Sequence, residues 1–300
     1  MNFKWEGVMP AVTTKFTSDD TLDLELFLKN VDAQIKAGVS GIILGGTLGE
    51  ASTLEEGEKE SLVTATVKYV SGKVPVIVNI AEQSTRGALK AVELAEKYGA
   101  NGLMVLPPMR YKANNTETVT YFSEIAKSTT LPIMIYNNPV DYGIEVSLSM
   151  FEELIHFPNI QAVKESTRDI TNITRLRNRF GERLNILCGV DTLALESLLA
   201  GADGWVAGLV CAFPRETVAI YKWIKEGKHR EALALYRWFM PLLELDINPQ
   251  LVQNIKLAEV ATGLGSEFVR APRLPLQGEE RKRVQGIINA AMASRPVVKL

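Results

Sequence analysis

The feature that most constrains this chain is an alternation. Short β-rich runs recur at Val8 to Thr14, Gly41 to Leu44, Val74 to Asn79, Gly102 to Leu106, Pro132 to Tyr136, Ile160 to Lys164, Leu184 to Cys188 and Gly204 to Ala207. Amphipathic stretches separate them. Ala88, Ala91, Val92, Ala95 and Tyr98, and again Ile170, Ile173, Leu176 and Phe180, recur near the ~3.6-residue helical period, which turns one face of each stretch toward a core. Strands that alternate with helices form a parallel sheet, and eight such units predict a closed (β/α)8 TIM barrel. A weak internal repeat agrees: Gly38-Val39-Ser40-Gly41, Gly99-Ala100-Asn101-Gly102 and Gly201-Ala202-Asp203-Gly204 each join a helix end to the next strand. The first glycine can take the left-handed cap that stops a helix.

After Lys225-Glu226-Gly227 the β signal vanishes and Arg230 to Met240, Gln250 to Thr262 and Glu279 to Met292 read as helices. A barrel alone needs about 250 residues. The expected organisation is therefore a barrel catalytic domain over 1–225 and a C-terminal helical extension over 226–300, packed on the barrel or making a subunit contact. Thr53-Leu54-Glu55-Glu56 reads as a capping box that opens the second barrel helix.

Lysine and arginine number 33 against 35 acidic residues, with no basic tract, which argues against a nucleic-acid surface and for small-molecule work. The N-terminus lacks the zones of a secretory signal and no apolar run approaches about 18 residues, so the chain reads as cytoplasmic with no membrane partner. Cys188 and Cys211 lack the spacing of a disulfide framework or zinc cluster, and His156 and His229 have no triad or metal partner in view. Acid and base work falls to tyrosine, lysine or a carboxylate.

Ile160-Gln161-Ala162-Val163-Lys164 is an apolar run ending in a lysine. At the end of a buried strand such an amine is desolvated, becomes a neutral nucleophile and can form a Schiff base; the alternative is a solvated lysine at a strand end. In such a barrel the working groups stand at the carboxyl ends of the strands. Strand two is followed by Gly45-Gly46-Thr47-Leu48-Gly49-Glu50, strand four by Pro107-Pro108-Met109-Arg110-Tyr111, strand five ends in Tyr136-Asn137-Asn138-Pro139, and strand seven leads to Gly189-Val190-Asp191. The glycine loop either aims the amides of Thr47 and Leu48 at a carboxylate or is a plain turn. Arg110 holds a distal carboxylate or is solvated. Tyr136 is a packed aromatic or the acid/base beside the lysine. Gly189 offers a carbonyl and room for substrate. Asp141 and Tyr142 either touch the distal end of a ligand or lie in a solvated loop, and Glu50 and Glu165 read as structural.

Gly49-Glu50 in its glycine loop, Tyr136-Asn137-x-Pro139 and Val163-Lys164-Glu165, in this order and at these separations, resemble the dihydrodipicolinate synthase and N-acetylneuraminate lyase family of class I aldolases. The resemblance runs nearly end to end. It implies a Schiff base from Lys164 to a 2-oxo acid, acid/base work by Tyr136, binding of the substrate 1-carboxylate by Thr47 and Leu48, a homotetramer made of two dimers, and neither metal nor organic cofactor.

Three positions depart from the synthases of that family. Where they carry a second loop threonine, a relay tyrosine after strand four and an arginine after the Tyr-Asn-x-Pro turn, this sequence has Leu48, Arg110 and Asp141. Leu48 cannot pass a proton, and Asp141 repels an anionic semialdehyde. The stretches Pro108 to Lys112 and Tyr136 to Gly143 look most like the subgroup that deaminates 1-pyrroline-4-hydroxy-2-carboxylate with loss of water. The expected activity is that deamination. The alternatives are a 2-keto-3-deoxy sugar acid dehydratase or aldolase, the synthase proper, and a non-catalytic keto-acid-binding barrel.

Overall fold

A computed structural model describes residues 4–108 and 111–298. Eight parallel strands, β1 (Gly7–Pro10), β2 (Ile42–Leu44), β3 (Val76–Ile80), β4 (Gly102–Val105), β5 (Ile133–Asn137), β6 (Ile160–Glu165), β7 (Asn185–Cys188) and β8 (Gly204–Ala207), pair in the order β1-β8-β7-β6-β5-β4-β3-β2. A parallel bridge between Ala11 and Ile43 joins the two ends of that order, so the sheet closes on itself with helices outside. This is the (β/α)8 TIM barrel that the alternation predicts.

The strands read as apolar runs because helices cover one face and barrel side chains fill the other. Every residue of β1, β2, β4 and β8 is buried accordingly. The repeated glycines do the work their spacing suggested. Gly38, Gly99 and Gly201 have φ of 92°, 89° and 102°, in the left-handed region where a side chain is strained.

Two local expectations are corrected. The first strand ends at Pro10, not Thr14. Beyond it the chain is anchored by side chains: the Thr14 hydroxyl donates to the Gly49 carbonyl at 2.6 Å and the Lys15 ammonium pairs with Glu259 at 2.8 Å. The second barrel helix begins at Glu56 with Glu55, not Thr53, at its N-cap; the Thr53 hydroxyl donates to the Glu50 carbonyl at 2.9 Å. The Glu55 N–H donates to the Glu58 carboxylate at 2.9 Å in its place.

Helices His229–Leu243, Leu251–Thr262 and Gly278–Ala293 make up the C-terminal part. Two fully buried ion pairs, Lys15 with Glu259 at 2.8 Å and Lys256 with Glu50 at 2.5 Å, fasten the middle helix to loops that leave β1 and β2. Buried pairs add little net stability but fix register, since any slip leaves a charge unpaired. The segment Asp246 to Pro249 consequently sits in the wall of the cavity at the barrel mouth. Among the described residues no helix is long and apolar enough to cross a membrane.

Candidate active site

A cavity of about 1100 Å³ opens at the carboxyl ends of the strands, where the loops after β2, β3 and β5 to β8 and the C-terminal segment line it, and continues between the helices Glu56–Val70 and Thr85–Lys97. Lys164 reaches it from β6. It is 7% exposed, and among the described residues its Nζ makes no hydrogen bond or ion pair. The amine lies 3.9 Å from the centroid of the Tyr136 ring. Burial moves its pKa below the ordinary lysine value, against the opposing pull of Tyr142, Asp246 and Asp191. The lysine fits because the neighbouring strand yields to a glycine. A Cβ on Gly189 would stand 2.7 Å from Lys164 Cε and 2.1 Å from Ser166 Oγ.

Tyr136 is held at the end of β5, in register with Lys164. Burial pushes its phenol up to about 12, while the Asn138 amide, donating to the phenol oxygen at 3.2 Å, works the other way. Asn138 also starts a single helical turn, Pro139–Tyr142: its side chain accepts from the Asp141 N–H at 3.1 Å, and proline supplies the fixed φ of the first helical position. That turn swings Tyr142 edge-on to Tyr136, ring centroids 5.6 Å apart at 84°. The Tyr142 hydroxyl shares a 2.9 Å hydrogen bond with the Thr47 hydroxyl, and burial pushes it, too, up to about 12. Three hydroxyl side chains from β2 and β5 loops thus meet beside the lysine.

The glycine loop is tightly fixed. Asn79 donates to the Gly45 carbonyl at 2.9 Å, and a Cβ on Gly49 would come within 3.2 Å of the Val12 carbonyl oxygen. The N–H groups of Thr47 and Leu48 donate to no described residue, which leaves them open to an anion. Leu48 is buried and apolar at the same wall. Asp141 lines the rim, takes a 2.7 Å hydrogen bond from Asn138 and faces Arg168 at 3.5 Å. Arg110 and its neighbour Met109 lie outside the described residues. Glu165 is structural: its carboxylate accepts from the Thr167 N–H at 2.7 Å and from Asn172 at 2.8 Å. Glu50 pairs with Lys256 and accepts from the Arg270 N–H at 3.0 Å.

Sequence reasoning gave no role to Ser166, Arg168 or Asp246, all of which line the cavity. Ser166 was findable, because a residue two along from Lys164 shares its face of the strand. Its buried hydroxyl makes no well-formed hydrogen bond with a described residue, and it lies close enough to the Tyr136 phenol to oppose that group's upward shift. Arg168 stands on a residue with φ of 64°, a conformation no local pattern announced. Asp246 arrives from a helix connection far along the chain.

A closed barrel with a buried lysine and a partly buried tyrosine at its mouth is the layout of a small-molecule enzyme. The dihydrodipicolinate synthetase family matches residues 4–291, and the chain belongs to that family. A 4-hydroxy-tetrahydrodipicolinate synthase of Exiguobacterium sibiricum is 31% identical over 275 residues, covering 91% of this chain and 92% of the relative. The solved 4-hydroxy-tetrahydrodipicolinate synthase of Methylacidiphilum fumariolicum SolV superposes with a TM-score of 0.90 at 29% identity, over 97% of this chain and 98% of that one. A dihydrodipicolinate synthase variant described as monomeric gives 0.91 at 27% identity, over 96% and 97%.

Proposed function

We propose that this protein is a Schiff-base lyase in which the Lys164 amine attacks the carbonyl carbon of a 2-oxo acid. The carbinolamine loses water, the imine withdraws electrons, and C3 of the substrate gives up a proton to become an enamine carbon. Tyr136 carries protons to and from these centres, and the free amides of Thr47 and Leu48 receive the 1-carboxylate. The observation that carries the reading is the unpaired, buried Lys164 amine 3.9 Å from the Tyr136 ring centroid. Borohydride added with pyruvate should attach the reduced adduct irreversibly at Lys164; a native protein that turns over substrate with no adduct, or an adduct on another lysine, sinks the reading.

Among specific reactions, the name of the relatives supports 4-hydroxy-tetrahydrodipicolinate synthase, in which the enamine adds to an anionic semialdehyde. Two contacts soften the objections raised by Leu48 and Asp141. Tyr142 supplies a relay hydroxyl to Thr47 from the same chain, and Arg168 brings a cation to the Asp141 rim. The dehydrating deamination of 1-pyrroline-4-hydroxy-2-carboxylate is the second reading, favoured by the Ser166 hydroxyl in the cavity beside Tyr136, which suits a substrate carrying its own hydroxyl group. Dehydration or aldol cleavage of a 2-keto-3-deoxy sugar acid uses the same imine, whereas a non-catalytic keto-acid binder has no use for a desolvated lysine beside a tyrosine. Assaying aspartate semialdehyde with pyruvate, the hydroxypyrroline carboxylate and keto-deoxy sugar acids side by side, with ammonia release followed, separates these readings.

For quaternary structure we retain the homotetramer, a dimer of dimers, supported by family membership. The monomeric relative shows that the family does not require it, and Thr47 and Tyr142 meet within one chain. Sedimentation of the purified protein decides.

A further inference from the structure

Asp191 and Asp246 stand back to back at the end of β8, with a glycine between them. The Asp191 carboxylate is enclosed by donors: the Trp205 indole N–H at 2.9 Å, the Gly208 N–H at 3.1 Å and the Leu209 N–H at 2.8 Å. Asp246, on the connection after helix His229–Leu243, occupies the notch that Gly208 leaves by lacking a side chain. A Cβ on Gly208 would lie 2.5 Å from Asp246 Oδ1. The Asp246 carboxyl makes no hydrogen bond or ion pair with any described residue, and it lines the same cavity as Lys164, Tyr136 and Ser166. The charged groups that act on it are Asp191, Lys164, Asp141 and Arg168.

Two neighbouring carboxyls with a single unpaired lysine amine nearby do not both ionise readily, and the proton stays on the one without donors. Burial raises both, the three donors pull Asp191 back, and Asp246 has none to do so. Of the two, Asp246 is therefore the carboxyl that holds a proton more readily, and it is the one that faces the substrate space.

Resting on the Schiff-base reading above, we propose that Asp246 is a further catalytic residue of this site, the acid that delivers a proton to the oxygen on C4 of the substrate. In condensation the enamine C3 bonds to the aldehyde carbon, the C=O electron pair moves to oxygen, and that oxygen takes the Asp246 proton. In elimination the enamine pair forms a C3–C4 double bond as the C4–O bond breaks, the C4–O electron pair leaves with oxygen, and the Asp246 proton completes a water molecule. Either way Asp246 ends as a carboxylate and regains its proton from solvent. The amine and tyrosine then serve C2 and C3, and the C-terminal part of the chain serves C4.

The experiment separates C3 chemistry from C4 chemistry. Exchange of the pyruvate methyl protons with deuterium oxide needs Lys164 and an acid/base but no C4 oxygen. Asp246→Asn should keep borohydride trapping and methyl exchange within about threefold of the native protein while turnover of its C4-oxygenated substrate falls by about two orders of magnitude. Gly208→Ala, which leaves the carboxyl intact but displaces it, should show the same split. Turnover of Asp246→Asn within threefold of native overturns the proposal, and so does an equal loss of exchange and turnover, which would make Asp246 a support for the lysine. Failure of the native protein to trap at all defeats the Schiff-base reading instead.

Discussion

Tyr136 and Lys164 stand opposite each other in the parallel ladder of β5 and β6, and the lysine amine rests on the tyrosine ring at 3.9 Å from its centroid. The phenol oxygen is engaged with Asn138, so the two groups touch through amine and ring face and not through a hydrogen bond. Both are shifted by burial toward their neutral forms, the amine downward and the phenol up to about 12. A neutral amine can attack a carbonyl, and a neutral phenol can hand a proton to the oxygen that forms.

Removing only the phenol hydroxyl should therefore separate the two tasks. Tyr136→Phe keeps the ring under the amine, so imine trapping at Lys164 should persist, while kcat falls by about two to four orders of magnitude. Turnover within tenfold of native would assign the proton transfers to another group.

The lysine is a stability liability. In the folded protein its pKa lies below the unfolded value of about 10.4, so the folded state binds fewer protons in the window between the two, and stability rises with pH through it. The penalty is full below the folded pKa and vanishes above about 10.4. Lys164→Met, inactive, should melt higher than native at pH 6, by about 1 kcal/mol or about 2 °C for a chain this long, with the gain narrowing toward pH 10. Calorimetric melts showing a gain independent of pH would contradict desolvation as the cause.

The barrel was legible because its signals are periodic and repeated: apolar strand runs, one-faced helices, and glycines that stop helices at φ near 90°. Lys164 and Tyr136 were legible because each closes an apolar run and so must surface at the same rim. Asp246 and Arg168 were not, since their positions depend on how a distant connection and a left-handed residue fold over the mouth. Tyr142 fell between: its loop was noted, but its hydrogen bond to Thr47 depends on the Asn138 cap turning Pro139–Tyr142 inward.

The Thr47–Tyr142 bond should show as non-additivity. Thr47→Val and Tyr142→Phe each break the same 2.9 Å contact, so the double variant should lose less activity than the two single losses multiplied, with a coupling of about 0.5–3 kcal/mol in a double-mutant cycle on kcat/KM. Strict additivity would mean that the two hydroxyls act independently.

Lys256 and Glu50 give the last test, because their fully buried pair joins the C-terminal part to the glycine loop. Lys256 also donates to the Phe268 carbonyl at 2.6 Å, and Glu50 keeps the Arg270 N–H when the lysine is lost. Lys256→Met leaves the buried carboxylate with only the longer contact to the Arg273 guanidinium, 3.7 Å away, and should destabilise by about 3 kcal/mol in chemical denaturation. Adding Glu50→Gln removes the under-compensated charge and should return more than about 1 kcal/mol of that loss, because breaking a buried pair costs more than replacing it. Glu50 directly follows Gly49, so the single variant should also raise KM for a 2-oxo acid while kcat changes less. If the double variant is no more stable than Lys256→Met, the under-compensated carboxylate is not what the single change exposes.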